Sequence, residues 1–431
     1  MGIIDLARQV KETSIYMAAL ETEQKNRALA QIASSLLEHK EDIIKANQVD
    51  LSRGQQENLA EPVLKRLKFD EEKIADVVDG INSLIKLEEP VGRTLLATEL
   101  DEGLELYKVS CPIGVIGVIF EARPDALVQI STLCLKSGNC VLLKGGSEAM
   151  ETNRVLTRII SKATEEAGIP VNWLKQFETR DAVSEMLKLD DYIDLIIPRG
   201  SNAFVKYIMD NSRIPVLGHA DGICHSFVDE SADVGMAVKI VVDAKTQYVA
   251  VCNATETLLV HEKIAAAFLP ALKEQLDKKQ VELTGCPKTQ GIISVALATD
   301  QEWQTEYLDY KLSIKIVNDL DEAIQHINRY GSGHTDSIIT DNKENAAKFM
   351  SLVDSGNVFW NCSTRFSDGF RYGFGAEVGV STSKIHARGP VGLEGLLIYK
   401  YKLIGKGHIV ADYASKNMTF KHNKLDKQFP M

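Results

Sequence analysis

Long apolar runs are missing from this chain. No uninterrupted stretch approaches the ~18 residues that a membrane-crossing helix requires. The first residues, Met1-Gly2-Ile3-Ile4-Asp5-Leu6-Ala7-Arg8, lack a basic start followed by an apolar block, so no secretory leader is expected. No CxxC pair occurs either. The seven cysteines (Cys111, Cys134, Cys140, Cys224, Cys252, Cys286 and Cys362) are odd in number, which argues against disulfides or a zinc ribbon and for reduced thiols in a cytoplasm. No metal site is expected. A basic surplus is also absent: the formal charge is −11, which disfavours nucleic acid as a partner. GxGxxG, internal repeats and low-complexity tracts are missing too.

The composition that remains, 45% apolar and 25% charged, is that of an ordinary globular protein. At 431 residues the chain exceeds one core, so two or three domains are expected. Residues 1 to about 90 predict helices, because Leu29–Leu37 and Ile74–Ile85 carry apolar residues at spacings of three and four. Leu104–Val109 alternates behind the turn Asp101-Glu102-Gly103, which predicts a hairpin.

From Pro112 the pattern becomes strand, helix, strand. Gly114–Ile119 and Cys140–Lys144 predict buried strands, with a helix over Ala126–Lys136 between them. Ser147 is placed to cap the next helix, a further helix is expected around Asp181–Leu189, and a strand over Ile193–Ile197 precedes Arg199-Gly200-Ser201. Repeated β-α-β units of this kind predict a parallel sheet whose ligands sit beyond the strand C-terminal ends. Two such ends carry Lys144-Gly145-Gly146-Ser147 and Arg199-Gly200-Ser201, where backbone amides, a helix N-terminus and a full positive charge suit phosphate. A plain turn with an N-cap is the competing reading. After Asp221-Gly222 a second α/β series follows, running to Val358–Asn361. Leu397–Ile404 alternates again and, with the hairpin, would form an exposed edge sheet that an oligomer can use. The lysines of the last residues, Lys416 to Lys427, read as a solvated end.

The centre of the second series is Val251-Cys252-Asn253-Ala254-Thr255, just before the apolar run Glu256–His261. A thiol is the strongest side-chain nucleophile near neutral pH, provided nearby positive potential favours its thiolate. Cys286 and Cys362 are rivals, and a buried cysteine is often only a small hydrophobe.

Longer motifs bear on this choice. Pro112–Gly117, Leu142-Leu143-Lys144, the Gly-Ser helix start and the cysteine turn together resemble the aldehyde dehydrogenase superfamily, an α/β fold of two Rossmann-like parallel-sheet domains plus a small β oligomerisation element. Phe120–Asp125, Val317–Ile338 and Thr382–Leu396 are similar, within it, to the gamma-glutamyl phosphate reductase family. The resemblance implies an NADP(H)-binding domain over 1–94 and 112–222, a catalytic domain over 223–396, oligomerisation strands over 95–111 and 397–412, and a tail over 413–431.

It also implies NADPH-dependent reduction of L-glutamyl 5-phosphate, the second step of proline biosynthesis from glutamate. Cys252 matches the nucleophile, with Asn253 as a second oxyanion donor. Lys144 and Ser147, Arg199 with Gly200 and Ser201, and Glu306 match the cofactor-binding positions. Ser147 stands where NAD-preferring relatives often carry an acid, which favours NADPH/NADP. The substrate is anionic at both ends, so Arg365 leads its candidate ligands, followed by His219, Asn361 and Arg388.

Hydrolytic relatives carry a water-activating glutamate in a Glu-Leu-Gly-Gly motif, whereas this chain reads Leu217-Gly218-His219-Ala220-Asp221-Gly222. That departure suits an acyl phosphate, which is already activated. A homo-oligomer is expected, and the lability of the substrate suggests transient association with glutamate 5-kinase, which co-purification would test. The alternatives are a non-phosphorylating aldehyde dehydrogenase acting on another small aldehyde, and a non-catalytic scaffold.

Overall fold

Residues 2–178 and 182–430 are described by a computed structural model, so Asp181 of the helix expected around Asp181–Leu189 lies outside the described residues. Two compact units result: Met1–Val216 with Val391–Met431, and Leu217–Pro390. The boundaries fall a few residues before those read from the sequence, and the tail belongs to the first unit.

The first unit opens with helices Ile3–Met17, Thr22–Glu38, Lys40–Gln56, Glu61–Leu67 and Glu71–Lys86. The last of these shows why they form. Ile74, Val77, Val78, Ile81 and Leu84 recur at helical spacing and are buried, and the Asp70 side chain accepts from the Lys73 N–H at the start. Burying each such side chain contributes roughly 1.5–3 kcal/mol.

Strands β1 (Thr94–Asp101) and β2 (Leu104–Pro112) make the expected hairpin. Strand Leu397–Ile404 pairs with β2 and leaves an open edge carrying the exposed Tyr399, Tyr401 and Leu403. The tail, expected to be solvated, instead folds back on the hairpin. Asn423–Lys424 pairs with β1, Lys427 meets Glu105 at 2.5 Å, and the Phe429 ring lies 5.4 Å from that of Tyr107.

A parallel sheet completes this unit, built from β3 (Val115–Phe120), β4 (Cys140–Gly145), β5 (Leu174–Gln176) and β6 (Leu195–Arg199) in the order β5-β4-β3-β6. The chain steps outward from β3 to β5, then returns to the other side of β3. The order therefore reverses between β3 and β6, which is where open α/β sheets bind ligands.

The second unit is built on a seven-stranded sheet with every pair parallel, and a small pair of strands, Gly379–Ser381 and Gly389–Val391, lies outside it. The sheet's strands are β7 (Cys224–Val228), β8 (Thr255–His261), β9 (Glu282–Gly285), β10 (Ala296–Leu297), β11 (Lys311–Val317), β12 (Thr335–Ile339) and β13 (Asn357–Trp360), in the order β10-β9-β11-β8-β7-β12-β13. Every residue of β7, β8 and β12 is buried, as helices on both faces require. Among the described residues no helix is long and apolar enough to cross a membrane.

Candidate active site

In the second unit the neighbours β8, β7 and β12 begin side by side, and their N-terminal ends carry chemistry. Cys252 lies in the loop entering β8, Cys224 opens β7, and His334 immediately precedes β12. One donor atom each from His219, Cys252 and His334 lies within 4.8 Å of the other two. The two imidazoles meet edge to face, with centroids 4.8 Å apart. His219 Nδ1 lies 2.9 Å from the Val380 carbonyl oxygen, which orients the ring. Burial, with the charge of His219 as a lesser cause, holds the His334 imidazole well below the usual histidine range, so His334 is neutral.

The cysteine loop is fixed through its main chain. The Cys224 thiol donates to the Cys252 carbonyl oxygen at 3.2 Å, and a Cβ on Gly222 would come within 2.1 Å of that same oxygen. Only glycine allows this approach.

Arg365 stands in the short 3-10 turn Thr364–Phe366, which Thr364 ties to Thr255 through a 3.1 Å hydroxyl pair. Its Nε donates to Gln247 at 2.9 Å, while its Nη1 is buried with no partner among the described residues. Burial, then Arg371, lowers its pKa, and the charge of Cys252 works the other way, so the guanidinium senses the sulfur. Asp243, Gln247, Arg365, Phe366 and Arg371 line a cleft of about 220 Å³. Arg371 was not singled out from the sequence; its place in Arg365-Phe366-Ser367-Asp368-Gly369-Phe370-Arg371, a second arginine shortly after the first, was the available signal.

In the first unit both phosphate-suited strand ends flank β3. Gly146 N–H donates to the Phe120 carbonyl oxygen at 2.8 Å, and Glu121 N–H donates to that of Arg199 at 2.9 Å. The helix Asn202–Asn211 starts behind Ser201 with no side-chain cap. The Ser201 N–H donates to the Glu121 carboxylate at 2.8 Å, and a Cβ on Gly200 would lie 2.5 Å from that carboxylate. An anion already occupies this helix start, and glycine is what lets it approach, so the position fits a diphosphate. Lys144 is buried and donates to the Gly145 carbonyl oxygen; burial keeps its ammonium below the usual lysine range, with Glu148 partly offsetting this. Ser147 does not cap the following helix. Asp50 does so from a distant helix, accepting from the Thr152 N–H at 2.8 Å and the Glu151 N–H at 3.2 Å.

The aldehyde dehydrogenase family model matches residues 3–305 and 292–388. The chain is 74% identical over 431 residues to the gamma-glutamyl phosphate reductase of Acetivibrio thermocellus, covering 100% of both. It belongs to the gamma-glutamyl phosphate reductases of the aldehyde dehydrogenase family. The crystal structure of the Thermotoga maritima gamma-glutamyl phosphate reductase superposes with a TM-score of 0.92 at 42% identity, over 94% of this chain and 99% of that one. A glyceraldehyde-3-phosphate dehydrogenase from Methanocaldococcus jannaschii, complexed with NADP, shares the fold at 18% identity, with a TM-score of 0.62 over 93% of this chain and 94% of its own.

For a gamma-glutamyl phosphate reductase the expected residues sort into two groups. Cys252, His219 and Arg365 come together. Glu306 lies on the loop entering β11, at the same edge of the sheet, where its charge adds to the burial that pushes Glu256 up to about 7. Asn253, Asn361 and Arg388 are committed elsewhere. Asn253 Nδ2 donates to the Ser367 carbonyl oxygen at 2.7 Å, which ties the side chain to the segment after Arg365. Asn361 closes on the Thr340 main chain, accepting at 2.9 Å and donating at 3.0 Å, at the opposite end of β12 from His334. Arg388 donates to the Asp354 side chain and carbonyl oxygen, both at 2.9 Å.

Of the rival thiols, Cys362 is raised by burial. At Cys286 burial also raises the thiol, but donors led by the Thr289 hydroxyl outweigh it and leave the pKa lowered. Cys286 follows the C-terminal end of β9, the opposite edge of the sheet from Cys252.

Proposed function

We propose that the chain reduces L-glutamyl 5-phosphate to L-glutamate 5-semialdehyde and phosphate with NADPH, in the biosynthesis of proline from glutamate. The observation that carries this reading is the meeting of Cys252, His219 and Arg365 at one sheet edge, in a chain 74% identical to a gamma-glutamyl phosphate reductase.

His219 takes the thiol proton; His334 is the weaker base, because burial disfavours its imidazolium. The Cys252 sulfur attacks the acyl carbon, the C–O bond to phosphate breaks, and a thioester forms. Arg365, with Arg371 beside it, holds an anionic end of the substrate. Lys144, Ser147, Arg199, Gly200 and Ser201 would hold the adenine half of the cofactor, and Glu306 the nicotinamide ribose. When bound, NADPH supplies the hydride. The resulting thiohemiacetal on Cys252 collapses to the aldehyde and regenerates the thiol.

A hydrolytic dehydrogenase would need a carboxylate able to activate water beside the thioester. Glu256 has a raised pKa, yet Lys245 donates to one of its oxygens at 2.5 Å and the Leu308 N–H to the other at 3.2 Å. Phosphate is then the acyl acceptor in the oxidative direction. Semialdehyde oxidation with NADP⁺ is expected to require phosphate or arsenate and to fall to background without either; acid formed at full rate in phosphate-free buffer would overturn the reading. Arg365→Ala removes a charge-assisted contact worth about 1.5–3 kcal/mol, so KM for glutamyl phosphate should rise roughly 10- to 150-fold. Initial rates across substrate concentrations check this, and an unchanged KM would remove Arg365 from the site.

A further inference from the structure

We propose that Cys252, His219 and His334 bind one zinc ion, which silences the sulfur reversibly. Among the described residues they are the group of three metal-ligating side chains whose donor atoms converge, each within 4.8 Å of the others. One thiolate and two imidazoles suit a borderline-soft ion and not Mg²⁺ or Ca²⁺. Both rings are steadied from behind, as ligating histidines are. His219 Nδ1 meets the Val380 carbonyl oxygen at 2.9 Å, and His334 Nδ1 meets the Thr335 hydroxyl at 2.8 Å. His334 Nε2 is fully buried with no hydrogen-bond partner among the described residues. A buried nitrogen in that state carries a desolvation cost that a metal bond removes.

Tetrahedral zinc with bonds of ~2.0–2.3 Å sets its donors roughly 3.3–3.8 Å apart, so the group must close by about 1 Å. Cys252 and His219 are half-buried and can supply that movement while the buried His334 stays fixed. Binding converts the Cys252 thiol to a zinc-bound thiolate and releases one proton to solvent, with no change of oxidation state. Water takes the fourth position. Arg365 lies near enough to sense the sulfur, and its charge opposes the ion, so binding is weaker than at a structural zinc site. A sulfur whose lone pair is shared with zinc is a much weaker nucleophile toward an acyl phosphate.

The full chain is titrated with Zn²⁺ against a chromophoric chelator, and with Co²⁺ followed by absorbance. One ion per chain, a thiolate-to-cobalt charge-transfer band, and inhibition reversed by EDTA are expected. Cys252→Ser and His219→Asn should each weaken zinc binding at least tenfold, with circular dichroism verifying the fold; His334→Asn is avoided because that ring is buried. Undiminished binding in either variant, or a cobalt spectrum without the thiolate band, overturns the proposal. The stoichiometry, the cobalt band and the variant titrations need no turnover, so they stand or fall separately from the reaction proposed above.

Discussion

Cys252→Ala is expected to lower reduction of glutamyl phosphate by at least ~10⁴-fold, the scale seen when a covalent nucleophile is removed, and to leave NADPH binding unchanged. No neighbour can replace the sulfur. Cys224 is fully buried, its thiol is pushed well up by that burial, and it already donates to the Cys252 carbonyl oxygen. Cys286, the thiol with a lowered pKa, sits at the other edge of the sheet. The substitution should also leave the fold intact, because the loop is held by the Cys252 carbonyl oxygen and by the close approach of Gly222. Single-turnover assays measure the first quantity and NADPH fluorescence titration the second. Turnover above about one per cent of the parent would mean that another group forms the acyl bond.

How far the sequence foretold this site depends on how local each contact is. The helix Glu71–Lys86 was legible because its apolar spacing and its Asp70 cap lie within one segment. The ends of β4 and β6 were legible because lysine, arginine and glycine stand directly after apolar runs. The rule that ligands sit beyond strand C-terminal ends does not lead to Cys252, which lies on the way into β8. The side chains that misled are those whose partners are remote in sequence. Nothing near Asn253 announces Ser367, nothing near Arg388 announces Asp354, and Asp50 caps a helix about a hundred residues on. Asn361 was misjudged for a local reason. Its backbone is left-handed at φ 55°, and its amide closes on the Thr340 main chain. The tail was missed because its paired stretch, Asn423–Lys424, is too short to show a period.

Acid should destabilise the second unit before its ordinary surface carboxylates are titrated. Burial, with smaller contributions from His225, Lys315 and Arg329, lowers the His326 imidazole to about 2, and His334 is held well below its usual value by burial and His219. Both are neutral in the folded chain, whereas the unfolded chain protonates them near pH 6.5. A depressed folded pKa gives stability that is present above the unfolded value and lost as pH falls. Between pH 6.5 and 4.5 His326 therefore removes about 2–3 kcal/mol, and His334 acts in the same direction. Glu256 acts in the opposite sense. Burial raises its carboxyl to about 7, so the folded chain binds that proton first and recovers about 2 kcal/mol over the same interval. A net loss remains, which should lower the melting temperature of the unit as pH falls from 6.5 to 4.5. Melting curves at half-unit pH steps read this directly. His326→Gln should make the decline shallower and Glu256→Gln should steepen it; a melting temperature flat from pH 6.5 to 4.5 in both would show that these rings are protonated in the fold.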